Sequence, residues 1–271
     1  MPKATPSTVE KKSGSSASPE VSKDLSLSIL KASLVLRIVG DHQDGCTLTE
    51  VAKASKLGTT VCHRILATLE HERLLDKDAA TGRFRLGLGM LSMAYKVQST
   101  HPLSRAAAPL VTEVVNRTQD IALLMVRDGD EVICIERKEG PFPVRASGTR
   151  IGTRLPMYCG GAPLAMLAFL SDEFIDRYLA TYPMEKRTER TVTDPRQIRK
   201  EIERVRRRGY TVGNQDLFDY VVAIGVPIFA PDGTLLGSLS IGGVEQRYTP
   251  KRIKEVGEWL AAASLKAFPY H

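Results

Sequence analysis

Residues 47–86, TLTEVAKASKLGTTVCHRILATLEHERLLDKDAATGRFRL, hold two short helical patterns, a turn between them and a small basic hairpin. Thr47 and Glu50 stand in the T-x-x-E spacing of a capping box, in which the hydroxyl accepts the third backbone N–H and the carboxylate accepts the cap's own N–H. A helix is expected to start here, with Leu48, Val51 and Ala52 on its inner face. Gly58 is expected to end that segment in a positive-φ conformation. Thr59 should then cap a second helix that turns Val61, Ile65, Leu66 and Leu69 inward and leaves Thr60, His63, Arg64 and Ala67 outside. Small and polar side chains near the start of a second helix suit entry into a major groove, where Arg64 matches a guanine edge or a phosphate. Beyond it, residues 74–77 and 83–86 alternate as strands around the turn Asp78, Ala79, Ala80, Thr81 and Gly82. Arg83 and Arg85 share one strand face, where cations would meet a phosphate backbone.

Helix, turn, helix and wing in that order predict a winged helix-turn-helix over 25–87. Its DNA-contact candidates are Thr47, Thr59, Thr60, Cys62, His63, Arg64, Arg83 and Arg85. Two blander readings stand beside it: Arg83 and Arg85 as a solvated strand face, and the module as a partner-binding winged helix without an operator.

Upstream, Leu27, Leu30, Leu34 and Ile38 recur at helical spacing and predict a first helix ending near Gly40. Residues 1–22, rich in Ser, Pro, Lys and Thr, carry too little apolar surface to fold and are expected to form a disordered tail, with Lys3, Lys11 and Lys12 able to brush phosphates. Downstream, residues 88–101 are expected to form a linker helix that stops at His101 and Pro102.

The remainder, 102–271, has a different pattern. Residues 121–127 and 131–138 flank Asp128, Gly129 and Asp130, while 221–229 and 234–241 flank Pro231, Asp232 and Gly233. Both are hairpin signals. Asp194 with Pro195, and Thr249 with Pro250, open helices carrying Ile198, Ile202 and Val205, and Ile253, Val256, Trp259 and Leu260. The expected class is α+β, an antiparallel sheet with packed helices.

Composition adds limits. The chain has 271 residues, enough for two domains, and a net charge of +7, which suits an acidic partner. The cationic run Arg204, Arg206, Arg207 and Arg208 is interspersed with Glu201 and Glu203, and cations suit a helix C-terminus, so a solvated helix end is preferred to a second nucleic-acid patch. Cys46, Cys62, Cys134 and Cys159 show no C-x-x-C pair, so neither zinc nor a disulfide framework is expected. No metal, cofactor or membrane span is expected, and the expected location is cytoplasmic.

These signals together resemble the IclR family of bacterial transcription factors. The resemblance rests on His63 and Arg64, on Thr81, Gly82, Arg83, Phe84, Arg85, Leu86 and Gly87, and on Gly152 to Pro156, Thr193 to Pro195, Arg208 to Tyr210 and Val226 to Phe229. It implies a GAF-like effector-binding domain, assembly as a homodimer or dimer of dimers, and binding of double-stranded operator DNA under control of a small-molecule effector. Repression is the expected sign. The recognition helix here begins Gly58, Thr59, Thr60, Val61, Cys62 where many members have a lysine, so base preference does not transfer. Gly242 replaces a frequent small polar residue.

Effector candidates are Tyr158, Cys159, Gly160, Gly161, Ala162, Asp216, Ala223, Ser240 and Gly242, with Gln215 as an alternative to Asp216 and Arg145, Arg150 and Arg154 as further anion partners. Free N–H groups after Gly160 would receive a carboxylate, so an organic or aromatic acid is the expected ligand. The two glycines equally fit a tight helix-to-sheet approach. No catalytic residue is expected. The enzyme alternative, Cys159 as a hydrolase nucleophile, lacks a nearby histidine, His101 and His271 being the remaining ones beyond the first module.

Overall fold

The first helix, α1 (Leu27–Gly40), buries Val35 and Val39, while Leu27 and Leu30 are exposed. The predicted Leu27, Leu30, Leu34, Ile38 stripe is therefore rotated: α1 is apolar on more than one face, and its spacing alone does not choose between them. The computed structural model describes residues 24–142 and 148–266. The expected tail over 1–22, together with Arg145 and His271, lies outside them.

α2 (Leu48–Ser55) starts with both bonds of the capping box, Thr47 N to Glu50 Oε2 at 2.8 Å and Glu50 N to Thr47 Oγ1 at 3.3 Å. Its end corrects the expected turn. Lys56 takes the left-handed conformation, φ 56°, and Gly58 is extended, φ −62°, standing as the N-cap of α3 (Thr59–His71) with Thr59 as its first residue. α3 buries Cys62, Leu66 and Leu69, whereas Val61 is exposed. Thr47→Ala removes the cap and is expected to cost about 1 kcal/mol, read as roughly fivefold faster amide exchange in α2. An unchanged rate would mean that packing of Val51 alone sets the helix start.

The hairpin β1 (Leu75–Lys77) and β2 (Phe84–Leu86) pairs Leu75 with Leu86 and Lys77 with Phe84. Asp78 Oδ1 accepts the N–H groups of Ala80 and Thr81 at 2.9 and 2.8 Å, which shapes the turn. Cys46 bridges to Phe84 and ties the hairpin to the residues just before α2. Val35, Val39, Cys46, Val51, Cys62, Leu66, Leu75 and Phe84 form one core. α4 (Leu88–Thr100) buries none of its residues.

The chain divides between Ala94 and Tyr95 into two compact units. In the second, α5 (Pro102–Thr118) uses Pro102 at its first turn, so the proline expected to stop one helix opens the next. A six-stranded antiparallel sheet follows, in the order β5 (Arg154–Pro156), β4 (Glu131–Lys138), β3 (Ile121–Asp128), β8 (Leu235–Val244), β7 (Val221–Phe229), β6 (Thr211–Asn214). Both expected hairpins are present, with Gly129 and Gly233 at φ 66° and 84°.

Alternation along the strands sends side chains to two cores. On one face Ala122, Leu124, Ile224, Val226, Leu239 and Ile241 meet α5 and α9 (Pro250–Ser264). On the other, Leu123, Met125, Val132 and Leu155 meet α6 (Gly161–Ala168), α7 (Asp172–Thr181) and α8 (Pro195–Arg208). The result is helix, sheet, helix. Asp194 and Thr249 cap α8 and α9 as expected, and Gly209 ends α8 at φ 82°.

Candidate functional site

The solvent-facing side of α3 carries Thr59, Thr60, His63, Arg64 and Ala67. No hydrogen bond or ion pair among the described residues holds the side chain of Arg64 or of Arg85. Both guanidiniums are available to a polyanion. Cys62 is a correction: it is fully buried, its Sγ 3.5 Å from Ser55 Oγ, so it locks α3 onto α2 and offers nothing to DNA. Arg83 is a second. Its guanidinium donates to the Gly45 carbonyl at 3.0 Å and to Glu50 Oε2 at 3.0 Å, which fastens the wing to the capped start of α2. Thr47's hydroxyl is likewise engaged in the cap. Hydrogen bonds from Thr47 hold the Glu50 carboxyl below the usual range, and Arg83 adds to it. Thr47 and Arg83 thus position the wing and α2, while Arg64 and Arg85 are the two cations among the expected contacts that make no hydrogen bond or ion pair among the described residues, Arg85 acting on Asp78 only through space.

In the second unit, small residues hollow one face of the sheet. Ala223 lies opposite Gly242, and Ser240 lies opposite Gly225 and Leu123. Over this hollow α6 begins. Gly160 sits at φ 85°, which only glycine adopts without strain, and a Cβ on Gly161 would lie 3.0 Å from the Ala223 Cβ and 3.2 Å from the Ser240 Cβ. Thr211 Oγ1 donates to the Gly161 carbonyl at 2.7 Å and so fixes α6 to β6. The glycines therefore serve the close approach of helix to sheet, and in doing so bring the α6 N-terminus to a cavity.

That cavity, about 30 Å³, is lined by Gly160, Gly161, Asp216, Ala223, Ser240 and Gly242. Its remaining walls are mostly apolar: Leu123, Met125, Leu155, Pro163, Leu217, Phe218 and Val221, with Thr149 as a polar exception. Ser240 is buried and its hydroxyl has no protein partner among the described residues. Asp216 accepts the Gly160 N–H at 2.8 Å, and burial raises its carboxyl above the usual range.

Three of the expected effector residues do not line it. Tyr158 turns away to Glu185, donating to its carbonyl at 2.7 Å, and Cys159 and Ala162 are packed in the core. Along a loop entering a helix successive side chains point in different directions, so residues 158–162 cannot all face one cavity. Burial pushes the Cys159 thiol well above its ordinary range, the opposite of what activates a nucleophile. Arg154 pairs with Asp128, and neither it nor Arg150 reaches the cavity. Gln215 instead braces the rim, its Oε1 accepting the Tyr220 N–H at 3.0 Å. The apolar walls carry no distinct signal in the sequence, because core and pocket leucines look alike. Thr188 and Thr191, which donate to the carbonyls of Gln215 and Asp216 at 2.6 Å each, left no local signal. Two of the four cations at the end of α8 are structural: Arg206 donates to the Ala168 and Leu170 carbonyls, and Arg208 pairs with Glu201 at 2.8 Å.

Comparison with known proteins matches these two units separately. Residues 28–79 match the IclR helix-turn-helix domain, and residues 95–267 match the bacterial transcriptional regulator IclR C-terminal domain. The HTH-type transcriptional regulator KipR of Bacillus subtilis is 32% identical over 225 residues, 83% of this chain and 89% of KipR. Among solved structures, an IclR transcriptional regulator from Alicyclobacillus acidocaldarius aligns with a TM-score of 0.78 at 23% identity, covering 89% of this chain and 96% of that one. An IclR homolog from Microbacterium hydrocarbonoxydans, complexed with 4-hydroxybenzoate, aligns at 0.73 and 22%, covering 89% and 98%. With both domain models matched and a relative of this identity over most of its length, the chain belongs to the IclR family of bacterial transcriptional regulators.

Proposed function

We propose that the chain is a cytoplasmic repressor whose grip on double-stranded operator DNA is set by a small organic or aromatic acid held between the α6 N-terminus and the sheet. The observation that carries the ligand reading is Ser240: a buried residue in the wall of the cavity whose hydroxyl makes no hydrogen bond among the described residues, beside the Asp216 carboxylate, Thr149 and the backbone of Gly160 and Gly161. With the Gly160 N–H held by Asp216, a small carboxylate would take the Gly161 N–H and the Ser240 hydroxyl, and lay its apolar body against Leu123, Leu155 and Phe218. The 4-hydroxybenzoate bound by the Microbacterium homolog is of this chemical type.

As it stands the cavity accommodates little more than a water or two. Its rim, residues 215–220, begins and ends on left-handed non-glycine residues, Gln215 at φ 58° and Tyr220 at φ 60°. Such residues persist only where their surroundings hold them. Ligand entry is expected to move Leu217 and Phe218 on this segment.

A second copy of the chain completes the reading. Leu88, Leu91, Met93, Tyr95 and Val97 are exposed along α4, as are Leu25, Leu27 and Ile29 at and before the start of α1. Apolar stripes of this extent suit burial in a homodimer or dimer of dimers, which would present two winged modules to successive half-sites.

The test starts from duplex fragments selected by the purified protein out of genomic DNA. Fluorescence anisotropy on one such fragment is titrated with small aliphatic and aromatic carboxylates, using wild type and Ser240→Ala. At least one acid is expected to shift the wild-type isotherm, with about tenfold more needed in Ser240→Ala, from the loss of one hydrogen bond to a charged group. Equal responses in the two proteins would place the ligand elsewhere. Failure to select any fragment would sink the operator.

A further inference from the structure

A second cleft of about 390 Å³ lies against Asp216, outside the glycine-lined cavity and within the size range of small-ligand sites. Its first wall is one stripe of α8, where Gln197, Lys200, Glu201 and Arg204 follow one another at i, i+3, i+4 and i+7. Arg190 and Asn214 face them. Ile198 and Leu164, both buried, form an apolar floor.

The charges in this cleft do not cancel. Glu201 is held by Arg208 at 2.8 Å and meets Arg204 only at 3.3 Å. Arg190 contacts Asn214 Oδ1 at 3.3 Å and reaches Glu245 only at 3.8 Å. No hydrogen bond or ion pair among the described residues occupies Lys200. Asp216, the other carboxylate in the wall, is spent on the Gly160 N–H. Three cations therefore converge over an apolar floor against two carboxylates, Glu201 and Asp216, both already engaged within the protein. A concave surface with that imbalance concentrates anions, and guanidinium forks match the oxygens of carboxylates and phosphates.

We propose that this cleft is a second ligand site, which takes a small organic anion carrying two or more negative charges, a polycarboxylate or a phosphate monoester. Arg204 and Arg190 hold its charged groups from opposite walls, Lys200 neutralises the remainder, and the floor receives its carbon skeleton. The site is independent of whether the glycine-lined cavity binds an acid. It nevertheless touches the same loop: Arg190 lies between Thr188 and Thr191, whose hydroxyls hold the carbonyls of Gln215 and Asp216. Any coupling between the two sites is then reciprocal.

The test is isothermal titration of the full chain at fixed ionic strength with citrate, glycerol 3-phosphate and, as a monoanion, acetate. Wild type is expected to bind citrate or glycerol 3-phosphate saturably, and the stronger of the two identifies the carboxylate or phosphate source. Lys200→Gln with Arg204→Gln is expected to weaken that binding at least tenfold, Arg190→Gln to weaken it from the other wall, and Ser240→Ala to leave it unchanged. A thermal melt of each variant confirms that it is folded, and a misfolded double variant leaves Arg190→Gln to decide. Absence of saturable binding by either polyanion, equal binding in the folded cleft variants, or acetate binding as tightly at the same residues would each overturn the proposal.

Discussion

Gly225→Ala is expected to destabilise the C-terminal unit by about 3 kcal/mol or more, the upper end for forcing a methyl into a packed site. A Cβ at this position would stand 2.3 Å from both the carbonyl carbon and the oxygen of Gly161, and 2.6 Å from the Ala162 N. These are backbone atoms at the start of α6, so no side chain can rotate away. The strand is held too: Thr211 Oγ1 accepts the Gly225 N–H at 3.1 Å while donating to the Gly161 carbonyl. Relief therefore requires α6 to lift off the sheet, which breaks the cradle along with the packing. Gly242, on the same sheet face and one strand over, provides the contrast. A Cβ there meets nothing within 4 Å. Gly242→Ala should melt close to wild type and yet weaken ligand binding, because its methyl would enter the cavity. Thermal melts of both variants, with and without a ligand identified by titration, separate the two roles. Equal melting of both variants would mean that α6 tolerates displacement and that the close approach does not define the site.

That contrast also marks what the sequence could reveal. Local chemistry was readable: the capping box at Thr47 and Glu50, the Asp194 and Thr249 caps, and the turns at Gly129 and Gly233 each require only neighbours in the chain. The order of helix, helix and wing was readable for the same reason. Facing was less so. Val61 and Cys62 are adjacent and both apolar, and which one enters the core depends on where α3 meets α2, a tertiary matter. α7 has a local signal as well, Ser171 followed by Asp172 and Glu173, and Ser171 Oγ accepts the Phe174 N–H at 3.3 Å. β5 and β6, at three and four residues, are too short to show alternation. The candidate site was half visible: glycines and Ser240 stand out in sequence, but the threonines that hold the rim lie about 25 residues or more from the carbonyls they bind.

Arg64→Ala is expected to reduce affinity for the selected operator by a factor on the order of 10 to 100 while changing affinity for random duplex far less, the signature of a lost base-edge contact worth about 1–3 kcal/mol. Arg64 stands on the exposed side of α3, one turn from its N-terminus, with its guanidinium unoccupied by any neighbour among the described residues. Arg85 is equally free but sits on the wing strand. Arg85→Ala should weaken both duplexes alike and lower the slope of log K against log salt by about 1, since a phosphate contact releases counterions without reading sequence. Arg83→Ala supplies the third arm. Its guanidinium bonds the Gly45 carbonyl and Glu50 through Nη2 and the Asp44 and Gly45 carbonyls through Nε, so its loss acts through the placement of the hairpin, and Arg83→Lys should rescue only in part because a lysine keeps the charge but has no second nitrogen to replace the Nε–H bonds. Anisotropy isotherms over a salt series, on operator and random duplex, distinguish the three. The discriminating quantity is the ratio of the two affinities: it falls for Arg64→Ala and stays constant for Arg85→Ala if α3 reads bases and the wing reads phosphates. A constant ratio for both would assign Arg64 to the backbone, and base reading would then have to come from Thr59, Thr60 and His63, whose shorter side chains reach less far into the groove.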